Sequence, residues 1–385
     1  MMKKTLMYAS VASMIQQFNM DNIRILLSLG YEVHVACNME KGSTIPQEKI
    51  LSLKQELDAM GVKIHHIPIP RKIIALKHIW ESYKITKKLL DEQNYALVHC
   101  HSPIGSIICR LANLKSKNYK TTRMIYTAHG FHFFKGGPLT SWFLFYPIEK
   151  ILSRYTDTLV TINNEDYALA RNKFKAQNVV KVPGVGVDTQ KYQGVSIDRD
   201  EFRKELGLQS TDILILSVGE LSDRKNHAVI IRALHQLKNP QIHYAIVGKG
   251  ALAAQLEKLI HELNMQQQVI LLGFRADIPN LCKAADLFAF PSKREGLGLA
   301  AIEAMAAGLP IITSNINGIN DYSIDGVTGY SCSPNDVDAF ANSIQQCISD
   351  PLWLEKVGEE NIERSKKYDI ANVNEIMKEI YKKID

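Results

Sequence analysis

The 385-residue chain lacks the sequence features of several large protein classes. No stretch approaches the ~20 consecutive apolar residues of a membrane-spanning helix, so no such helix is predicted. The six cysteines include no Cys-x-x-Cys pair, and no histidines cluster at zinc spacing. A structural zinc site is therefore excluded, and the cysteines are expected to be buried thiols in a reducing compartment.

Nucleic-acid recognition motifs are also missing, so nucleic acid is not an expected partner. The sequence has neither a long low-complexity linker nor a short-period repeat. The beginning, Met1-Met-Lys-Lys-Thr-Leu, has the lysines of a signal peptide. Its apolar run is short, however, and continues as the strand, turn and helix of an α/β unit. We therefore interpret it as the first strand of a cytoplasmic protein.

Charge is distributed unevenly along the chain. Residues 1–188 contain 25 Lys and Arg against 14 Asp and Glu, whereas the remainder contains 21 against 26. A basic first half can favour contact with phospholipid headgroups or a polyprenyl pyrophosphate at a membrane surface. An ordinary basic surface is the alternative.

Short apolar runs alternate with helical patterns throughout, which is typical of parallel sheets covered by helices on both faces. The length and the number of runs predict two doubly wound α/β domains, 1–184 and 185–365, joined near Val182–Asp188, where one proline and two glycines interrupt the pattern. The predicted strands are Thr5–Ala9, Glu32–Ala36, Lys63–Ile67, Leu97–Cys100, Met124–Ala128, Thr158–Ile162, Ile213–Val218, His243–Val247, Val269–Leu272, Leu287–Phe290, Ile311–Thr313 and Gly329–Cys332.

The most informative segment carries two carboxylates eight residues apart. Glu295 precedes Gly296-Leu297-Gly298, and Glu303 lies within a run of helix formers that begins at Leu299. Backbone amides at the glycines and at the helix N-terminus can bind a diphosphate. A helix start whose acidic side chains are simply solvated is the simpler interpretation. Glu295 is expected in the loop and Glu303 inside the helix.

This segment, from Phe290 to Pro310, resembles the Glu-x7-Glu signature of retaining glycosyltransferases of family four. Nearly the whole chain takes part in the resemblance, which is closest to the subgroup that builds bacterial capsular and exopolysaccharide glycans. Four further matching regions follow the family's order: Thr127–Phe134, Val182–Asp188, Ser217–His227, and Val247–Gly250 with Gly273–Ile278.

The resemblance implies the GT-B fold, an α/β fold of two facing Rossmann-like domains with an interdomain cleft, in which the last helix, 366–385, returns to the first domain. It implies same-face transfer from a nucleoside diphosphate sugar, first of all a UDP-sugar, to a lipid-linked or glycan acceptor. The nucleotide sugar is a co-substrate, so no cofactor is expected. No Asp-x-Asp motif is evident and no metal is expected, and the protein is expected in the cytoplasm, peripheral at the inner face of the membrane.

The resemblance also assigns roles to single residues. Lys225 is expected to neutralise the leaving diphosphate, and Glu303 to bind ribose hydroxyls. Catalysis is assigned to His129, Lys225 and Glu295, of which Glu295 binds the sugar. The remaining donor-binding predictions are Arg224, Gly248, Gly250, Phe274, Arg275, Gly296, Leu297, Gly298 and Leu299. Alternatives are a solvated pair for Arg224 and Lys225, and a surface ion pair of Arg275 with Asp277.

On the acceptor side, Ser13 and Gln16 lie in a segment, Ser10–Phe18, expected as a loop in place of the family's glycine-rich one. His132 competes with His129 for the position beside the transferred sugar. The aromatic region Phe131–Ile148 either packs into the core or contacts a membrane or lipid-linked acceptor.

Other functions remain open. Gly248-Lys-Gly-Ala-Leu-Ala253 formally fits a dinucleotide fingerprint, but the acid that it requires after the next strand is absent. The family usually has Arg after Gly219, and Glu220 stands there. A non-catalytic nucleotide-sugar-binding partner of another transferase is therefore an alternative, as is a sugar-nucleotide epimerase on the same fold.

Overall fold

The computed structural model describes residues 2–71 and 74–384. They divide into two compact units, Met1–Val185 with Ala371–Asp385, and Gly186–Ile370. None of the described helices is long and apolar enough to cross a membrane.

The first unit is built on a seven-stranded parallel sheet of order β3-β2-β1-β4-β5-β6-β7. The order reverses between β1 and β4, which makes the sheet doubly wound. Its strands are β1 (Lys4–Val11), β2 (Glu32–Asn38), β3 (Lys63–His66), β4 (Leu97–His101), β5 (Arg123–Ala128), β6 (Thr158–Thr161) and β7 (Asn178–Lys181). Its helices are α1 (Ala12–Phe18), α2 (Met20–Ser28), α3 (Gln47–Ala59), α4 (Leu76–Gln93), α5 (Pro103–Leu114), α6 (Leu139–Leu152) and α7 (Asn164–Lys173).

Two local predictions for this unit need correction. Strand β7 was not predicted, because Asn-Val-Val-Lys has only two apolar residues and an edge strand buries little. The segment Ser10–Phe18 is not a loop: it contains the end of β1 and all of α1. It contains no glycine or proline, and Ala12 and Ile15 are fully buried on one helix face.

The second unit contains a six-stranded parallel sheet of order β10-β9-β8-β11-β12-β13. The order reverses between β8 and β11. Its strands are β8 (Ile213–Val218), β9 (Ile242–Val247), β10 (Val269–Gly273), β11 (Leu287–Phe290), β12 (Ile311–Ser314) and β13 (Gly329–Cys332). Its helices are α8 (Thr189–Gln193), α9 (Arg199–Glu205), α10 (His227–Leu237), α11 (Ala253–Glu262), α12 (Ile278–Ala284), α13 (Leu299–Ala306), α14 (Val337–Ile348) and α15 (Pro351–Ser365).

All twelve predicted strands are present in these two sheets, within a few residues of their predicted ends. The buried strands follow from their composition, because runs rich in Val, Ile, Leu and Phe can be covered on both faces only inside such a sheet. The two doubly wound domains predicted from the alternating pattern are therefore confirmed.

The last helix, α16 (Ile370–Ile384), belongs to the first unit from Ala371 onward. Val373, Met377, Ile380 and Tyr381 are buried in the core beneath β1, β2 and β4. The return therefore begins at 371 rather than 366. The preceding turn, Lys366–Tyr368, stays with the second unit, because the Tyr368 hydroxyl donates to the Asp321 carbonyl at 3.0 Å.

Candidate active site

The loops after β8 and β11 bring the predicted donor-binding side chains together. In doubly wound sheets, ligands bind outside the carboxyl ends of the strands where the strand order reverses. Arg224 and Lys225 follow β8, and Glu295 follows β11. A backbone hydrogen bond from Lys293 N to the Arg224 carbonyl, 2.8 Å long, ties the two loops to each other.

Two cations contact one carboxylate oxygen in these loops. Lys225 Nζ lies 2.8 Å from Glu295 Oε1, and Arg224 Nη1 lies 2.6 Å from the same atom. Lys225 and Glu295 are largely buried, while the Arg224 side chain is 42% exposed. Burial lowers the pKa of Lys225, and the attraction of Glu295 opposes that shift. The neighbouring side chains therefore converge on Glu295; Lys225 is not the solvated cation of the simpler interpretation, whereas Arg224 is paired but still exposed.

Aromatic and glycine neighbours fix the position of Lys225. Its ammonium lies 4.4 Å from the centre of the Phe290 ring, a distance at which a cation is attracted to an aromatic face. A Cβ atom at Gly219 would come within 3.0 Å of the Lys225 side chain. Glu220, which follows Gly219, is exposed.

Gly298 shapes the start of α13. Its φ is 93°, in the left-handed region that favours glycine, and it is the N-cap residue of the helix. A Cβ atom there would lie 2.6 Å from the Phe290 ring and 2.8 Å from the Tyr322 hydroxyl. The glycine therefore allows the loop to pack closely on two aromatic rings, and α13 begins at Leu299 as predicted.

The rest of this loop is braced from behind. A Cβ atom at Gly318 would clash with the Gly296 carbonyl at 1.9 Å, so the turn Asn317–Asp321 packs directly against the loop backbone. Leu297 is buried, whereas Leu299 is half-buried. These contacts hold the amides between Glu295 and α13 in one conformation.

Glu303 lies inside α13, about one helix turn after Leu299, where the helix begins. Glu295 lies in the loop before the helix, so both positions are as predicted. Burial raises the pKa of the Glu303 carboxyl group. The Tyr192 side chain, on α8, hydrogen-bonds the Glu303 carboxylate, and burial together with Glu303 raises the pKa of Tyr192. A carboxylate held in this way can accept hydrogen bonds from hydroxyl groups.

Gly248 and Gly250 follow β9, next to the same loops. A Cβ atom at Gly248 would lie 1.8 Å from the Gly219 carbonyl oxygen, and one at Gly250 would lie 2.3 Å from the Leu221 carbonyl oxygen. Both glycines are thus required for packing between the β8 and β9 loops. That requirement exists whether or not a ligand approaches them.

Phe274 and Arg275 follow β10. Phe274 is exposed, and the Arg275 guanidinium forms two hydrogen bonds of 2.8 and 2.5 Å with the Asp277 carboxylate. The contact raises the pKa of Arg275 and lowers that of Asp277. This ion pair is the alternative that the sequence offered for Arg275.

The first unit has its own cavity, of about 470 Å³, at the corresponding edge of its sheet. It lies where β1 and β4 end, at the reversal of strand order. Its lining combines hydroxyl, aliphatic and aromatic groups with one arginine: Ser10, Val11, Ser13, Met14, Gln17, Phe18, Thr44, Pro70, Arg71, Ser102, Pro103, Ile104, His132 and Phe145.

The structure therefore brings two of the three acceptor-side predictions, Ser13 and His132, to this cavity. Gln17 rather than Gln16 lines it, since successive residues of α1 point about 100° apart. His132 packs against Phe145, with the ring centres 4.7 Å apart.

His129 follows β5 and contacts a second histidine that ends β4. His129 Nε2 lies 3.0 Å from His101 Nδ1. His101 Nε2 lies 3.2 Å from the Met7 sulfur, which accepts but cannot donate. A neutral His101 therefore carries its proton on Nε2, His129 donates from Nε2, and His129 Nδ1 is left as an acceptor.

Burial lowers the pKa of His129 to about 4, and that of His101 well below its usual range. Both rings are consequently neutral near pH 7. A neutral His129 can accept a hydrogen bond from a hydroxyl group, and its contact with His101 fixes which nitrogen does so.

Three residues of these sites, His101, Tyr192 and Tyr322, were not predicted. Each lies far along the chain from the residue that it contacts, so no local spacing indicates the contact. A histidine at the end of the strand before His129 was the one available signal, because neighbouring parallel strands end at the same edge.

Comparison with known proteins agrees with this arrangement. The family model described as "Glycosyl transferases group 1" matches residues 198–367, and "Glycosyl transferase 4-like" matches residues 11–164. EpsD of Bacillus subtilis strain 168, named as a candidate glycosyltransferase, is 33% identical over 99% of this chain and 97% of its own. The chain belongs to the glycosyltransferases. The predicted membership of family four is confirmed.

Two further proteins resemble the glycosyltransferase over most of its length. An Escherichia coli enzyme, UDP-Gal:alpha-D-GlcNAc-diphosphoundecaprenol alpha-1,3-galactosyltransferase, is 29% identical over 88% of this chain and 85% of its own. The crystal structure of Anabaena HepE in complex with UDP and glucose superposes with a TM-score of 0.77, at 20% identity, over 99% of this chain and 100% of HepE. The predicted GT-B fold is thereby confirmed.

Proposed function

We propose that the protein transfers a sugar from a nucleoside diphosphate sugar to a lipid-linked or glycan acceptor, with retention at the anomeric carbon, in the synthesis of a cell-surface polysaccharide. The single observation that carries this proposal is the cluster of Lys225, Arg224 and Glu295 beside the N-terminus of α13. Fixed cations and helix amides at one sheet edge suit a diphosphate leaving group.

The donor-side residues take distinct roles in this proposal. Lys225, Arg224 and the amides from Gly296 to Leu299 stabilise the negative charge that grows on the diphosphate as the glycosidic bond breaks. Glu303, positioned by Tyr192, accepts hydrogen bonds from ribose hydroxyls. Glu295, held in place by its two cations, orients hydroxyl groups of the sugar. Phe274 lies beside the base, and Gly248 and Gly250 line the donor side.

On the acceptor side, His129 hydrogen-bonds the transferred sugar through its unprotonated Nδ1. The cavity that Ser13 and His132 line receives the acceptor. The names of the relatives support a UDP-sugar donor and a diphosphate-lipid acceptor. The reaction needs no resident cofactor or metal in this proposal, and the enzyme works in the cytoplasm at the inner membrane surface.

Glu220 supports a second candidate, a partner protein that binds a nucleotide sugar without transferring it. The glutamate stands where family members usually carry a diphosphate-binding arginine, and its negative charge opposes an anion. Arg224 supplies a compensating cation, because it reaches the same carboxylate oxygen as Lys225.

Donor binding is tested with a panel of nucleotide sugars in a thermal unfolding assay. A ligand at ~100 times its dissociation constant adds about 2.7 kcal/mol of stability, which moves the unfolding midpoint by several degrees. Turnover of the stabilising donor by the purified chain then separates the two candidates. Stabilisation without turnover, for every acceptor tried, would favour the non-catalytic partner.

A further inference from the structure

Helix α6 exposes large apolar side chains on the first unit. Phe143 is 81% and Leu139 is 74% exposed, and Ile151 and Leu144 are also exposed. Leu139, Phe143 and Ile151 lie on one side of the helix, at spacings of four and eight residues, and Leu144 is adjacent to Phe143. A helix on a water-facing surface is normally polar on its outer side.

The inner side of α6 is apolar as well. Trp142, Phe145 and Tyr146 pack against the core that contains Phe131 and Phe133. The aromatic region Phe131–Ile148 therefore has two parts. Its beginning, with Phe131 and Phe133, is in the core, as one sequence interpretation expected. Helix α6, in contrast, is apolar both toward the core and toward solvent. Core packing alone does not account for α6.

Within residues 135–154, which contain α6, the exposed charged side chains all have one sign. Lys135, Lys150 and Arg154 are exposed, and the only acid between Lys135 and Arg154 is Glu149. Glu149 is buried and accepts a 2.8 Å hydrogen bond from the buried guanidinium of Arg110. The segment itself thus offers apolar groups and cations on its outer side, and a carboxylate beside it, that of Glu165, accepts a 2.5 Å hydrogen bond from the Lys135 backbone amide.

The start of α4 repeats this chemistry nearby. Leu76 and Trp80 are 73% and 57% exposed, and the ammonium of Lys84 lies 5.3 Å from the Trp80 ring centre. The two helices pack on the same core, since Ile79 and Tyr83 of α4 contact the cluster that Trp142 and Phe145 of α6 also contact. Helix α6 also reaches the cavity assigned to the acceptor, because Phe145 lines it.

We propose that the outer side of α6, together with the start of α4, docks on an anionic lipid bilayer. Leu139 and Phe143 enter the boundary between headgroups and acyl chains, while Lys150 and Arg154 contact headgroup phosphates. A second copy of the chain fits this surface less well, because a symmetric contact would bring the same cations together. Docking through this surface rests on the membrane location given in the proposed function and specifies which residues make the contact; the vesicle test does not require transferase activity.

The test measures co-sedimentation of the full-length protein with vesicles. One set contains phosphatidylcholine alone and another contains phosphatidylcholine with phosphatidylglycerol. The protein is expected to bind the anionic vesicles more tightly, and less so at high salt, because charge attracts it and apolar insertion holds it. Equal binding to both vesicle types, or binding to neither, would overturn the proposal.

Matched variants locate the contact. Replacing both Leu139 and Phe143 by serine is expected to lower binding to anionic vesicles roughly tenfold or more, because two large apolar groups no longer enter the lipid. Leu352→Ser is the control, since Leu352 is 78% exposed on the second unit. It is expected to bind as the unmodified protein does; equal losses in both variants would contradict the assignment to α6.

A spectroscopic probe checks insertion directly. Phe143→Trp is expected to show a blue-shifted tryptophan emission with anionic vesicles, quenched by brominated acyl chains. Unchanged emission would contradict insertion. So would a concentration-dependent dimer that Phe143→Ser dissociates, because a second copy would then occupy the surface. Donor-induced thermal stabilisation, measured in the same variants, reports separately on the proposed transferase function.

Discussion

The carboxyl edge of the first sheet carries buried neutral histidines, whereas the corresponding edge of the second carries two cationic side chains that contact one carboxylate. His99, His101 and His129 have pKa values held below the usual range by burial. In the second unit, Arg224 and Lys225 share the Glu295 carboxylate. Two sheets of the same doubly wound design thus carry different chemistry in the loops that follow their strands.

The difference teaches what each edge can bind. A cluster of fixed charges stabilises a diphosphate strongly, because its cations need no reorganisation. Neutral imidazoles and hydroxyls instead discriminate among sugar hydroxyls by hydrogen-bond direction. Removing charge from the second unit should therefore cost more activity than altering hydrogen bonds in the first.

Lys225→Ala should have the largest effect. We expect donor turnover to fall by about 10²–10³-fold, since one preorganised donor to the leaving group is lost. The fold should persist, because Arg224 still pairs with Glu295. Steady-state kinetics with circular dichroism checks both points. Lys293→Ala is the control, as Lys293 pairs with the exposed Asp223 at 2.7 Å, and a comparable loss there would argue against a specific role for Lys225.

Gly298→Ala should impair both stability and donor binding. A Cβ atom would strain the backbone at φ 93° and press on Phe290 and Tyr322, costing roughly 1–3 kcal/mol. Gly326→Ala isolates the backbone contribution, because Gly326 has φ 72° and no atom within 4 Å of the added Cβ. Chemical denaturation of both variants measures the difference, and equal losses would exclude a steric contribution.

Acid should destabilise the first unit before the second. His99 and His129 are buried with pKa values of about 3 and about 4, against 6.5 when unfolded. The unfolded chain therefore takes up protons as the pH falls from 6.5 toward 4, which costs about 2 kcal/mol for each histidine at pH 5. The second unit holds one comparable histidine, His227, with a pKa of about 4.

Hydrogen exchange at pH 7 and pH 5 resolves this difference between the units. Amides of β4 and β5 should lose protection before those of β8 and β11. Simultaneous loss in both units would show that they unfold as one, and would contradict the expected order.

His101→Phe tests hydrogen-bond direction in the first unit. The ring is retained, but Nδ1 no longer accepts from His129, so the two tautomers of His129 become closer in energy. We expect kcat to fall about tenfold or more, with a smaller change in the KM for the donor. His101→Asn, whose side-chain oxygen can accept instead, should recover part of the loss; no recovery would indicate a purely structural role.

Glu220→Arg should have the smallest effect, and in the opposite direction. It restores the cation that the family usually places after Gly219. Because residue 220 is exposed, the gain in donor affinity should amount to about 0.2–1 kcal/mol. Isothermal titration with the donor measures it, and weaker binding would show that Glu220 has a favourable role of its own.

The positions of twelve strands along the chain and the start of α13 could be predicted because each depends on nearby residues. Apolar runs define the strands, and Gly298 followed by helix formers defines α13. Strand β7 escaped prediction because its sequence is half polar, and α1 because a short helix directly after a strand resembles a loop in sequence. Local pattern thus located the edge strands β3, β10 and β13 as well as the central strands, but not the half-polar β7.

Contacts between distant segments could not be predicted. Nothing near Glu303 indicates that Tyr192 hydrogen-bonds it, and nothing near His129 specifies its tautomer. The sequence predicted Arg275 as a donor-binding residue, with a surface ion pair to Asp277 as the alternative; the structure shows the ion pair. The hydrophobic pattern of the sequence could not show that Phe143 is exposed, because α6 is apolar on both of its sides.

The return of α16 to the first unit affects the order in which the two units can complete their folding during synthesis. The Tyr381 hydroxyl lies 2.8 Å from His99 Nδ1, and the two residues are 282 positions apart. A ribosome needs roughly 10–40 s to synthesise the intervening second unit. During that time the first unit lacks part of its core, so the second unit can complete its fold earlier although it is made later.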